Sequence, residues 1–170
     1  MSTTRALISV EEYLATSYRP DCDYVDGEVV ERNLGERDHS WLQGVLSRLL
    51  MNRYESSGIF VFPELRVQVK PTRFRIPDIC VTLGFPDERV LTKPPFLCIE
   101  ILSPEDRMKR VKERVTDYLE MGVLCVWVLD PMTKGAYMAT AAESLHEVKT
   151  RVFTTENPVL EVPLDEIFAR

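Results

Sequence analysis

The chain has 170 residues, 45% of them apolar and 28% charged, with a formal net charge of −6. That length, against ~150 residues per domain, and that mix suit one compact unit over residues 1–170; they exclude an acidic disordered tail, a collagen-like fibre and a coiled coil. The acidic balance also disfavours a coat of unspecific positive charge for nucleic acid, although a local basic patch survives the test.

Ser9-Val-Glu-Glu12 reads as a capping box that opens a short helix ending near Thr16. In Tyr24-Val-Asp-Gly-Glu-Val-Val30, Asp26-Gly27 sits between alternating residues and signals a two-residue hairpin. A polar loop from Asn33 to Arg37 leads to Asp38, the expected N-cap of a long helix. Its apolar residues recur at Trp41, Leu42, Val45, Leu46, Leu49, Leu50 and Tyr54. After Gly58 the pattern changes to strands. Ile59 to Phe62 is apolar, and Leu65, Val67 and Val69 alternate with polar residues.

Pro71-Thr72 turns the chain into Arg75 to Leu83, and Phe96 to Leu102 is a further apolar strand. Ser103-Pro104-Glu105-Asp106 reads as an N-cap followed by proline and acids in a first helical turn. The next helix carries Met108, Val111, Val115, Tyr118 and Leu119 on one face, and Gly122 stops it. Leu124 to Asp130 is a buried strand. The tail reads as a weaker hairpin, Ala136 to Ala142 with His146 to Phe153, and a short helix from Leu164 to Phe168. A strand–helix–strand crossover makes the strands at Phe96 and Leu124 parallel, while earlier strands are antiparallel neighbours. The expected fold class is α/β, a mixed β-sheet with flanking helices.

Cys22, Cys80, Cys98 and Cys125 form no CxxC pair, and three lie in apolar runs, so reduced, buried thiols of a cytoplasmic protein are expected. No apolar run approaches the ~18 residues of a membrane span, and the Met1 end lacks a signal-peptide core. Trp41 and Trp127 read as core aromatics.

Two acids stand where apolar residues are expected. Asp78 lies within Ile76-Pro-Asp-Ile-Cys-Val81, and Glu100 within Leu97-Cys-Ile-Glu-Ile-Leu102. A carboxylate inside an apolar strand costs several kcal/mol unless it is paired or binds a metal. Two such acids suit Mg²⁺, which takes one or two carboxylates and keeps several waters. A turn after Pro77 and a buried Glu100–Arg salt bridge would explain the same residues without a metal.

Helix, Pro-Asp strand, Glu strand and basic helix in this order resemble the PD-(D/E)XK nuclease superfamily, and more closely its Uma-type restriction-endonuclease family. The resemblance rests on Tyr24-Val-Asp-Gly-Glu28, His39 before the Trp41 helix, Arg75-Ile-Pro-Asp78 and Ile99-Glu-Ile-Leu-Ser-Pro104. It continues through Val115-Thr-Asp-Tyr118, Gly122-Val123, Val126-Trp-Val-Leu-Asp-Pro131 and Leu164-Asp-Glu-Ile-Phe168.

The resemblance implies a restriction-endonuclease-like core and metal-dependent hydrolysis of DNA phosphodiester bonds. Asp78 and Glu100 would hold Mg²⁺ or Mn²⁺, and a cation nearby would stabilise developing charge. The superfamily places a lysine two residues after the acid, where this chain has Leu102. Within the family that lysine comes from the following helix, at a position aligning with Arg114. Arginine can clamp a phosphate but cannot transfer a proton.

His39 and Arg114 join the acids as candidate catalytic residues, and Arg75, Arg107 and Arg114 are the candidate phosphate contacts. The resemblance also admits a homodimer. One alternative is a catalytically degenerate member that acts as a DNA-binding or dimerisation module. Another is an unrelated α/β enzyme that uses the two acids for metal-assisted hydrolysis of a small substrate. Residues 9–38 carry nine acids against three bases, which accounts for the whole net charge, so the bases elsewhere flank both acids.

Overall fold

Ser9 opens α1 (Val10–Ala15), its hydroxyl accepting from the Glu12 amide as the capping pattern requires. In the computed structural model residues 6–33 and 35–169 are described; the Met1 end and Leu34 of the polar loop lie outside the described residues. The hairpin follows as β1 (Cys22–Val25) and β2 (Glu28–Glu31), turning at Asp26-Gly27, where both residues have positive φ.

The long helix α2 spans Arg37–Tyr54. Its N-cap is Glu36, not Asp38, which lies inside the first turn. A 3₁₀ turn at Glu55–Ser57 leads to β3 (Ile59–Pro63), β4 (Val67–Lys70), β5 (Arg73–Arg75), β6 (Ile79–Leu83) and β7 (Leu97–Ile101).

Ser103 to Asp106 is not the start of a helix. The Ser103 amide donates to the Asp106 carboxylate and the Asp106 amide to the Ser103 carbonyl, closing a local turn. Asp and Ser favour such side-chain-to-backbone turns in competition with helix. α3 (Met108–Met121) begins after it and ends at Gly122 in the left-handed region.

The remaining elements are β8 (Cys125–Asp130), β9 (Gly135–Thr140), β10 (His146–Glu147), β11 (Val152–Thr154), β12 (Glu161–Pro163) and α4 (Leu164–Ile167). The expected tail hairpin is only partly formed. β9 pairs with the short β10, whereas Phe153 belongs to β11, which pairs with β12.

The principal sheet has the order β10-β9-β8-β7-β6-β3, with β7 and β8 parallel across α3 and every other pair antiparallel. β1, β2, β4 and β5 form a second sheet of their own, so the expected single mixed sheet is divided. This second sheet has a core of its own: Tyr13 of α1, Tyr24 of β1 and Phe74 of β5 make a separate aromatic cluster, with Arg66 4.8 Å over the Tyr13 ring.

The two-residue period of the principal sheet sorts its faces. Ile79, Val81, Ile99, Ile101, Trp127 and Leu129 pack with α2 and the C-terminal elements. Cys80, Cys98, Val126 and Val128 pack with Val111, Val115 and Tyr118 of α3 and with Val67 and Val69 of β4. Trp127 is fully buried and stacks on Phe153 at 4.4 Å between centroids. Trp41 is no core residue; it is 49% exposed, because Leu42, Val45 and Leu46 supply the buried face of α2. The four cysteines are buried free thiols, and among the described residues no helix is long and apolar enough to cross a membrane.

Candidate active site

β6 and β7 run antiparallel with Ile79 opposite Ile99 and Cys80 opposite Cys98. One further step of that register sets Asp78 opposite Glu100 and on the same, α3-facing side of the sheet. The ladder stops there because the chain before β6 turns away at Pro77, which has no amide hydrogen to donate. Asp78 and Glu100 are 4% and 3% exposed, and both line a cleft of about 220 Å³ together with Glu28, Arg32, His39 and Arg110.

Each carboxylate is held by several elements. Asp78 Oδ2 accepts from the Ile101 amide at 2.7 Å, the next residue along the opposing strand. Asp78 Oδ1 accepts from Arg32 Nη2 at 2.7 Å, and His39 Nε2 lies 3.3 Å from it. Gln43, one turn after His39 on α2, donates to the Asp78 carbonyl at 2.9 Å. Glu100 Oε1 accepts from the Tyr118 hydroxyl at 2.6 Å. Arg114, one turn before Tyr118, brings Nε to 2.9 Å from Glu100 Oε2 as an ion-pair contact without an aligned N–H, and its Nη2 donates to Asp106 at 3.2 Å.

These environments drive the two acids apart. Burial raises the Asp78 carboxyl, but His39, Arg32 and the Ile101 amide outweigh it and hold it below the usual carboxylate range. Burial pushes Glu100 up to about 7, with Asp78 adding to the rise and Arg114 and Tyr118 opposing it. Burial lowers His39, Arg32 and Arg114, yet the facing carboxylates leave all three raised.

The sequence-based candidates thus separate. Asp78, Glu100, His39 and Arg114 converge. Arg75 borders the cleft, but its guanidinium is committed to Asp117 through Nε at 2.8 Å and to Asp23 through Nη1 at 3.0 Å. It ties β5 to α3 and β1, so its guanidinium is largely committed to those two acids. Arg107 caps α3 and lies outside the residues that line the cleft; Arg110, one turn on, takes the rim position. Arg32 is the residue that sequence reasoning missed. It follows a hairpin strand in a charge-rich segment and carries no periodic signal, so only the folded hairpin shows that it reaches Asp78. Tyr118 was visible as a motif residue, and its position four after Arg114 is the signal that both reach one acid.

Among the described residues no group of three or more His, Cys, Asp or Glu side chains is arranged around a metal position. A hard divalent cation in this cleft would have the acid pair as its donor set. Two buried carboxylates facing one open cleft fit Mg²⁺ or Mn²⁺, which complete their coordination with water. The Arg32 guanidinium now pairs with Asp78 Oδ1, and a cation on that oxygen requires it to move.

The chain matches the family model Uma2, described as "Putative restriction endonuclease", over residues 10–165. None of the curated proteins matches it. Among solved structures it is similar to "a putative nuclease belonging to DUF820" from Anabaena variabilis ATCC 29413. The TM-score is 0.82 at 19% identity, covering 95% of this chain and 98% of that one.

Proposed function

From the premise that the chain belongs to the Uma2 family of restriction-endonuclease type, we propose that it hydrolyses DNA phosphodiester bonds with Mg²⁺ or Mn²⁺ at Asp78 and Glu100. The observation that carries this reading is the convergence of the two buried carboxylates, His39 and two arginines on one cleft. When bound, the cation would polarise the scissile phosphate and lower the pKa of a coordinated water.

The protein's own groups do the rest. The Ile101 amide and Gln43 hold Asp78 at the end of its strand, while His39 orients its carboxylate and keeps it ionised. Tyr118 and Arg114 hold Glu100 from one face of α3. Arg110 at the rim is exposed and meets an approaching phosphate backbone first.

A second reading, a catalytically degenerate binding module, is favoured by one observation. Leu102 occupies the superfamily's lysine position and packs with the α3-side core, and Arg114 is engaged by Glu100 and Asp106. The test incubates the protein with supercoiled plasmid and with single-stranded DNA in Mn²⁺ or Mg²⁺, against EDTA and against Asp78→Ala. Nicking that requires both the metal and Asp78 supports hydrolysis. Retention of DNA without cleavage supports the binding module, and the absence of both cleavage and retention rejects both readings.

A further inference from the structure

Arg32 stands where the proposed metal and the proposed substrate meet. It leaves β2 at Glu31, enters the cleft, and places Nη2 2.7 Å from Asp78 Oδ1 and Nη1 3.5 Å from Glu64 Oε1. Its side chain is four-fifths buried, and the negative groups acting on it are Asp78, Glu100, Asp23 and Glu64. Arg32 is therefore, with His39, a cationic partner of Asp78, as Arg114 is of Glu100.

Each acid of the pair already faces a guanidinium, and a divalent cation on Asp78 Oδ1 would compete with Arg32 for that oxygen. Two cations repel at one carboxylate oxygen in a desolvated cleft, so the guanidinium leaves that oxygen as the metal arrives. A phosphodiester supplies a negative charge that the displaced guanidinium can grip. Arginine is suited to this exchange, because its planar fork bonds carboxylate and phosphate with equal geometry and stays charged throughout. Half-exposed Glu64 gives Arg32 a second acidic contact, at Nη1.

We propose that Arg32 is a resident cation which passes from Asp78 to the substrate phosphodiester as the metal loads, so that metal and nucleic acid bind cooperatively. This rests on the reading of Asp78 and Glu100 as the metal-holding pair. It makes Arg32 a phosphate-binding residue in the place left by the missing strand lysine, and it makes the metal-free form the resting state of the protein when no nucleic acid is present.

The test measures Mn²⁺ binding to the full chain by titration calorimetry and by the Mn²⁺ paramagnetic resonance signal. Each titration is run with and without a short phosphorothioate DNA strand, a probe that carries the charge and resists cleavage. Wild type should bind Mn²⁺ about tenfold or more tightly when the strand is present. Arg32→Met should bind Mn²⁺ alone more tightly than wild type and lose most of the coupling, while Arg32→Lys should keep part of it. Circular dichroism of the variants checks that each is folded. If Arg32→Met binds Mn²⁺ no more tightly than wild type and the strand still strengthens it equally, the role of Arg32 is overturned while the metal site stands. If wild type, Arg32→Met and Arg32→Lys all fail to bind Mn²⁺ with and without the strand, the metal reading itself falls, and the exchange with it.

Discussion

The Tyr118 hydroxyl donates a 2.6 Å hydrogen bond to Glu100 Oε1, joining the last turn of α3 to a carboxylate in a central strand of the principal sheet. Both residues are buried, so neither group exchanges this partner for water. Tyr118→Phe leaves Glu100 Oε1 short of a donor while changing little volume. It should destabilise the protein by about 1–3 kcal/mol, read from urea unfolding midpoints, with unchanged far-ultraviolet circular dichroism. A variant as stable as wild type would mean that the hydroxyl is dispensable to the packing of α3.

Glu100 also makes stability depend on pH in a definite direction. Burial chiefly raises its pKa to about 7 from an ordinary 4.5, so the folded state holds the proton over a range where the unfolded state has lost it. The stabilising contribution is complete below the unfolded value and disappears as pH rises through about 7. His39, raised from 6.5, has the same sign, whereas Asp78 acts oppositely, its contribution lost as pH falls below its usual 3.8. Stability of wild type should decline between about pH 5 and pH 8, and Glu100→Gln should remove the larger part of that slope, on the order of 2–3 kcal/mol. Denaturant midpoints across the range decide it; equal slopes in both proteins would reject the assignment to Glu100.

Arg75 is expected to matter for folding before it matters for substrate. Asp23 and Asp117 are both buried and both rely on its guanidinium, although Asp117 also pairs with Arg73 at 2.9 Å. Arg75→Ala should cost about 3–5 kcal/mol, because it leaves buried charge without its partner. Combining it with Asp23→Asn should recover part of that loss. The double-mutant comparison, by chemical denaturation, tests whether the damage is electrostatic; absence of any recovery would assign it to lost packing instead.

The two tryptophans should respond in opposite ways. Trp127 is fully buried against Phe153, so Trp127→Ala should cost about 3–5 kcal/mol and loosen the β11–β12 hairpin from the main core. Trp41 is half exposed, and Trp41→Ala should shift stability by no more than about 1 kcal/mol. Thermal unfolding of the pair checks this contrast, and a large loss at Trp41 would place that ring in a buried contact.

Much of the architecture is written locally. The N-cap at Ser9, the turn at Asp26-Gly27, the helical spacing from Leu42 to Leu50 and the stop at Gly122 each rest on interactions within a few residues, and each forms as its pattern requires. The acids betrayed themselves in the same way, since Asp78 and Glu100 interrupt apolar strands whose burial can be read from composition alone.

Other features depended on what the chain meets after folding. Ser103 to Asp106 carries helix-opening residues, yet Asp106 is drawn into a turn and onto Arg114, and the helix starts later. Trp41 satisfies the apolar spacing of α2, but the sheet covers only the Leu42–Leu46 side of that helix. Arg32, with no pattern to mark it, becomes the partner of an acid 46 positions away. By itself the sequence determined the helices, the turns and the two acids, because those follow from local geometry and from the cost of burying charge. Tertiary structure alone decided which cations answer those acids, because a long arginine side chain takes its partner from whatever carboxylate the assembled sheets bring within reach.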